Sequence, residues 1–138
     1  MKEQTFDAVI ASLPEVTLFI DEWLEGLGCG MKAQTQIDLA VDELFTNIAS
    51  YAYAPGSGKA KVRLDFDEAS RMASITFIDS GIPYDPLKKP DPDVTLSAEE
   101  REIGGLGIYM AKKATDKMEY RRENGLNILT IYKTIQEA

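Results

Sequence analysis

Between Gln36 and Ala52 the apolar residues Ile37, Val41, Leu44 and Ile48 recur at helical spacing and make one stripe along a helix. In a soluble chain such a stripe is stable only when another surface covers it. Strands supply that surface. Lys59 to Phe66 alternates, with Val62, Leu64 and Phe66 on one face and Lys61, Arg63 and Asp65 on the other, and Met72 to Ile78 repeats the signal after a short connection at Asp67 to Arg71. An antiparallel pair is predicted.

The remaining segments fit the same plan. Thr5 to Ala11 reads as a first strand, and Pro14 opens a helix over Glu15 to Leu27 with Val16, Phe19, Ile20, Trp23, Leu24 and Leu27 on one face. Pro55-Gly56-Ser57-Gly58 breaks the second helix from the strand that follows. Tyr84 to Ile103, with Pro86, Pro90 and Pro92, has no periodicity beyond a short helical turn at Ser97 to Arg101 and reads as a lid. A helix over Ile108 to Thr115 precedes two strands, Lys117 to Glu123 and Asn127 to Thr134, joined by the hairpin signal Asn124-Gly125. The fold class is α+β: a two-layer sandwich with one mixed, mainly antiparallel sheet covered on one face by helices, in a single domain over residues 1–138.

Composition narrows the function classes. A formal charge of −8 repels a nucleic-acid backbone, so no direct DNA or RNA role is expected. With Cys29 alone and no histidine, the chain has no intrachain disulfide, cysteine cluster, histidine zinc site or phosphoacceptor histidine, and Cys29 is expected to pack. No apolar run approaches the roughly 20 residues that span a bilayer, and acids sit among the first residues, so a cytoplasmic protein without a membrane role is expected.

Three features carry chemistry. Glu43 and Asn47, four residues apart, stack on one flank of the second helix beside its apolar stripe. An acid over an amide oxygen suits a magnesium-bound phosphate ester, although most such pairs are solvated helix surface. Asp79-Ser80-Gly81 closes a strand, either as an ordinary turn or as a carboxylate that accepts from an exocyclic amine such as that of adenine, with Gly81 admitting the flat ring. Gly104-Gly105-Leu106-Gly107 opens a helix, either as a flexible cap or as a phosphate cradle of backbone N–H groups. It is neither a Walker loop nor a dinucleotide fingerprint.

In order and spacing, Glu43-Leu44-Phe45-Thr46-Asn47, Asp79-Ser80-Gly81-Ile82-Pro83 and Gly104-Gly105-Leu106-Gly107 resemble the N box and two glycine boxes of the histidine-kinase-like (GHKL, Bergerat-fold) ATPases. Within that superfamily the chain looks most like the anti-sigma-factor serine kinases of bacterial partner-switching systems. The resemblance implies ATP and Mg2+ as cofactors, Asn47 as the magnesium ligand, Asp79 on the adenine amine and Gly81 along the ring. It implies Gly104, Gly105, Leu106 and Gly107 around the phosphates, a lid at about 84–103, and Thr130 supporting Asp79. Glu43 matches the general base that accepts a serine proton. Where these kinases can carry an arginine before the second glycine box, this chain has Ile103, and Arg101 is the candidate substitute. The implied partners are a sigma factor and an anti-anti-sigma antagonist, with a homodimer also implied. An ATP-gated module that sequesters a regulator without transferring phosphate is the alternative. A detached histidine-kinase catalytic domain is disfavoured by the missing phosphoacceptor histidine, and the larger gyrase, mismatch-repair and chaperone ATPases by the missing transducer domain.

Overall fold

The computed structural model describes residues 1–88 and 105–135. Its main elements are β1 (Lys2–Asp7), α1 (Leu13–Gly26), α2 (Met31–Tyr51), β2 (Lys59–Asp67), β3 (Met72–Asp79), α3 (Gly105–Ala114), β4 (Lys117–Glu123) and β5 (Leu126–Thr134). The sheet runs β1-β2-β3-β5-β4 with every neighbouring pair antiparallel, so the mixed sheet read from the sequence is antiparallel throughout. The topology explains this. After β3 the chain crosses through α3 to β4, which runs parallel to β3 but not beside it, because β5 returns from a tight hairpin into the gap. Asn124 and Gly125 both have positive φ (53° and 78°), the conformation that matches a two-residue turn to strand twist.

One face of the sheet makes the core. Ala60, Val62 and Leu64 of β2, Ala73, Ile75 and Phe77 of β3, and Leu129 and Ile131 of β5 are buried under Val16, Ile20 and Leu24 of α1 and Ile37, Val41, Leu44 and Phe45 of α2. Ile108 and Ala111 of α3 join the same cluster. The other face bears polar rows such as Glu3, Arg63, Thr76, Thr130 and Glu119, paired across neighbouring strands. This is the two-layer α+β arrangement expected.

Some boundaries moved, each for a local reason. β1 starts at Lys2 and stops at Asp7, where Thr5 to Ala11 was expected; it is an edge strand whose one buried residue is Phe6, so alternation says little about its ends. Helix α1 ends in a glycine cap: Gly28 takes φ 74° and donates to Glu25 O, while the Cys29 N–H reaches back to Leu24 O at 3.1 Å. That cap turns the chain directly into α2, which therefore begins at Met31 rather than Gln36. Cys29 is buried there, as a packing residue would be, and its thiol is pushed up first by burial and then by the charge of Asp38. The turn at Ser97 to Arg101 lies outside the described residues. Among those described, no helix is long and apolar enough to cross a membrane.

Asp21 of α1 and Asp38 of α2 meet between the helices. The Oδ1 atoms of both are buried, and neither finds a donor among the described residues. Burial, then the hydrogen bond and charge of Asp21, then the charge of Glu25, push the Asp38 carboxyl up to about 8, the direction expected of two carboxyls that share a proton. Because the folded value lies above the ordinary 3.8, the stabilisation is complete below about pH 4 and lost as pH rises through about 8. Urea unfolding at pH 6 and pH 9 is expected to show a loss of about 1–2 kcal/mol at the higher pH, less than the full shift would give because solvent reaches both carboxyls. Asp38→Asn, which supplies a permanent donor to Asp21, is expected to flatten that dependence; an equal pH dependence in the variant would rule the shared proton out.

Candidate functional site

The cleft lies where the C-terminal half of α2 overlies the ends of β3, β4 and β5. Its cavity volume is about 70 Å³, room for part of a small molecule and not for the whole of one. Leu44, Ile48, Ile82 and Leu129 give it apolar walls, and Asn47, Asp79 and Asn127 stand among them with Tyr51, Tyr84 and Tyr120.

Asp79 is the last residue of β3 and keeps the alternation of that strand, so its side chain enters the helix-covered face; it is 5% exposed. Its Oδ1 accepts the Gly81 N–H and Asn127 Nδ2, each at 2.9 Å. Among the described residues both bonds fall on Oδ1, which leaves Oδ2 to a ligand. The turn that follows is pinned from two sides. The Tyr53 hydroxyl donates to Lys59 O at 2.5 Å and accepts the Ser80 N–H at 2.8 Å, and Arg122 Nη1 donates to Gly81 O at 2.8 Å.

On α2, Asn47 stands in the cleft wall and Glu43 one turn before it, on the shared flank that their spacing predicts. Glu43 is half-buried, and its carboxylate packs against the first turn of α3: a Cβ on Gly107 would overlap Glu43 Oε2. Gly105 to Gly107 of the second glycine box are thus wound into a helix that starts at Gly105, three residues before the expected start at Ile108. That places a helix N-terminus beside the acid, where the dipole favours negative charge.

A histidine kinase-like ATPase domain model matches residues 6–133. This chain belongs to that family. As a histidine kinase-like ATPase domain it is an ATP-binding unit, and its relatives are consistent with that. The serine/threonine-protein kinase BtrW of Bordetella bronchiseptica is 28% identical over 113 residues, 79% of each chain. A structure of the RsbU and RsbW domains of a Mycobacterium tuberculosis protein superposes on all of this chain and 34% of its own, with a TM-score of 0.68 at 17% identity. The histidine kinase domain of a blue-light activated kinase from Erythrobacter litoralis covers 91% of this chain and 60% of its own, with a TM-score of 0.54 at 18% identity. At those identities the two structures speak for the fold alone.

Within this ATPase domain the expected site residues divide. Asn47 and Asp79 share the cleft, and Glu43 meets Gly107 beside it. One expectation needs correction, and one residue gains a second reason. Thr130 does not support Asp79: it lies on the opposite face of the sheet, with its hydroxyl 2.9 Å from that of Thr76, because β5 sends Asn127, Leu129 and Ile131 inward and Thr130 outward. Asn127 takes the role instead. Gly81 has to be small within the protein itself: a Cβ there would overlap the Ala52 carbonyl at the end of α2, which also accepts the Ile82 N–H at 2.9 Å. Arg101, Ile103 and Gly104 lie outside the described residues, as does most of the expected lid. Asn127, Tyr120, Tyr53 and Arg122 were not found from the sequence. Only Asn127 had a signal, a polar residue leading an inward apolar series.

Proposed function

We propose that this domain binds ATP with Mg2+ and transfers the γ-phosphate to a serine of a small anti-anti-sigma partner, as an anti-sigma regulator that also holds a sigma factor. The observation that carries the reading is the buried Asp79 at a strand end, facing a cleft whose other wall presents Asn47, with Glu43 one helical turn away. A relative named as a serine/threonine-protein kinase supports the transfer step.

Asp79 accepts the adenine amine, and the Asn47 amide oxygen is the protein's ligand to the cation. Asn47 makes no side-chain hydrogen bond among the described residues, and among those residues no three acids, histidines or cysteines are placed to hold a metal ion together. A cation held by one amide oxygen, the nucleotide phosphates and water suits Mg2+ rather than an all-protein cage. When bound, it neutralises charge on the phosphates. Glu43 accepts the proton of the attacking serine hydroxyl. The second glycine box, Gly104, Gly105, Leu106 and Gly107, would offer its backbone N–H groups to the phosphates, and Arg101 would supply further positive charge.

Asp79→Asn tests the nucleotide step. It replaces an acceptor-only group by one that also presents a donor, and calorimetric titration is expected to show ATP affinity reduced about tenfold or more with circular dichroism unchanged. Undiminished affinity would remove Asp79 from the site. Ile103, in place of an arginine, favours a second reading, an ATP-gated sequestering module. Labelled ATP with purified partner separates them: ATP-dependent partner binding with no label on the partner serine selects the module.

A further inference from the structure

Gly107 is the third residue of α3, and its φ lies outside the left-handed region that favours glycine. Its backbone is ordinary helix. Alanine is the better helix former, so the local backbone gives no reason for glycine at this position. The space that a side chain would fill supplies one. Ile108 and Ala111 dock α3 into the same core as Leu44 of α2, and outside α3 the three atoms nearest to a Cβ on Gly107 all belong to Glu43. That Cβ would overlap Glu43 Oε2 and lie 3.3 Å from its Cδ and 4.0 Å from its Cβ. Among the described residues no hydrogen bond or ion pair holds the Glu43 carboxylate, so contact with Gly107 is what sets its place. The two glycines that touch α2 differ in this respect. At Gly81 the obstacle is a backbone carbonyl, which cannot step aside; at Gly107 it is the far end of a side chain, which can. A methyl on Gly107 therefore moves the carboxylate and leaves both helices in place.

We propose that Gly107 is a positioning residue for phosphoryl transfer: the space left by its missing side chain seats the Glu43 carboxylate, so the first turn of α3 fixes where the base stands. The inference rests on the reading of Glu43 as the base. In the step it serves, the serine oxygen bonds to the γ-phosphorus, the bond from that phosphorus to the bridging oxygen breaks, ADP leaves, and the hydroxyl proton passes to Glu43. Misplacing a reacting group by about 1 Å can cost about 100-fold in rate. Relieving the overlap with a methyl takes a shift of that order.

Gly107→Ala keeps every backbone N–H of the glycine box, and so separates seating the base from holding phosphate. Single-turnover label transfer from MgATP to the purified anti-anti-sigma partner is expected to fall about 10–100-fold, against about threefold or less in calorimetric ATP affinity, with the urea midpoint at or above that of wild type. The decisive variant combines two changes. Glu43→Asp alone withdraws the carboxylate from its seat by one methylene and is expected to lose about 10–100-fold in transfer. In the Gly107→Ala background the methyl takes up the space that the shorter side chain vacates, so the double variant is expected to be no slower than Gly107→Ala alone. Losses that multiply would show two independent sites and overturn the proposal. ATP affinity that falls as far as transfer would give the glycine to the phosphates, and an unfolded Gly107→Ala would show that the backbone yields and not the carboxylate; either result overturns it too. Wild type that transfers no label, or Glu43→Gln that transfers as fast as wild type, overturns the reading of Glu43 as the base, and the proposal with it.

Discussion

Glu43→Gln is expected to lower phosphoryl transfer by about 10²–10⁴-fold while ATP affinity stays within about twofold. The substitution keeps the length and polarity of the side chain and removes its ability to take a proton. Glu43 stands beside the cleft and not in its wall, so the base and sugar of a nucleotide should not register the change. An effect confined to transfer is therefore the signature of a base. Label transfer to the partner serine and a calorimetric titration of ATP, on the same preparation, measure the two quantities. If affinity falls as steeply as transfer, Glu43 holds the nucleotide instead. If neither moves, the proton goes elsewhere.

Gly81→Val is expected to destabilise the fold by about 3 kcal/mol or more, with loss of ATP binding only as a consequence. Any Cβ at this position enters the Ala52 carbonyl, so the end of α2 has to move, and the Ile82 N–H loses its acceptor as it does. Ala52 and Ile82 both line the cleft, which therefore deforms with the strain. Urea unfolding distinguishes the causes. A variant as stable as wild type that has lost only ATP would show that the glycine faces the ligand after all.

What the sequence could disclose follows from which forces are local. The stripe on α2 and the alternation of β2 and β3 are legible because each is a period written along the chain, and the Asn124-Gly125 turn because its backbone angles demand those residues. Parity on β5 was harder to read. Leu126 and Ile128 are apolar on the outer face while Leu129 and Ile131 are apolar on the inner one, so hydrophobicity alone does not say whether Asn127 or Thr130 turns inward. Pairing with β3 decides it, and that is a tertiary fact. Gly81 poses the same difficulty in another form: a glycine marks a close approach, but only the packed position of α2 identifies what approaches.

The strand order also sets a schedule. Asp79 and the Asn127 that holds it are 48 residues apart, and they become neighbours only when β5 inserts between β3 and β4. On a chain still being synthesised, α1, α2 and the β2–β3 hairpin can assemble first, because their contacts are nearby in sequence. The Asp79 end of the cleft cannot, since it requires the final hairpin and the closure of the long segment before it. ATP would thus reward only a chain whose last strand has docked, favouring the finished fold over every shorter intermediate by mass action.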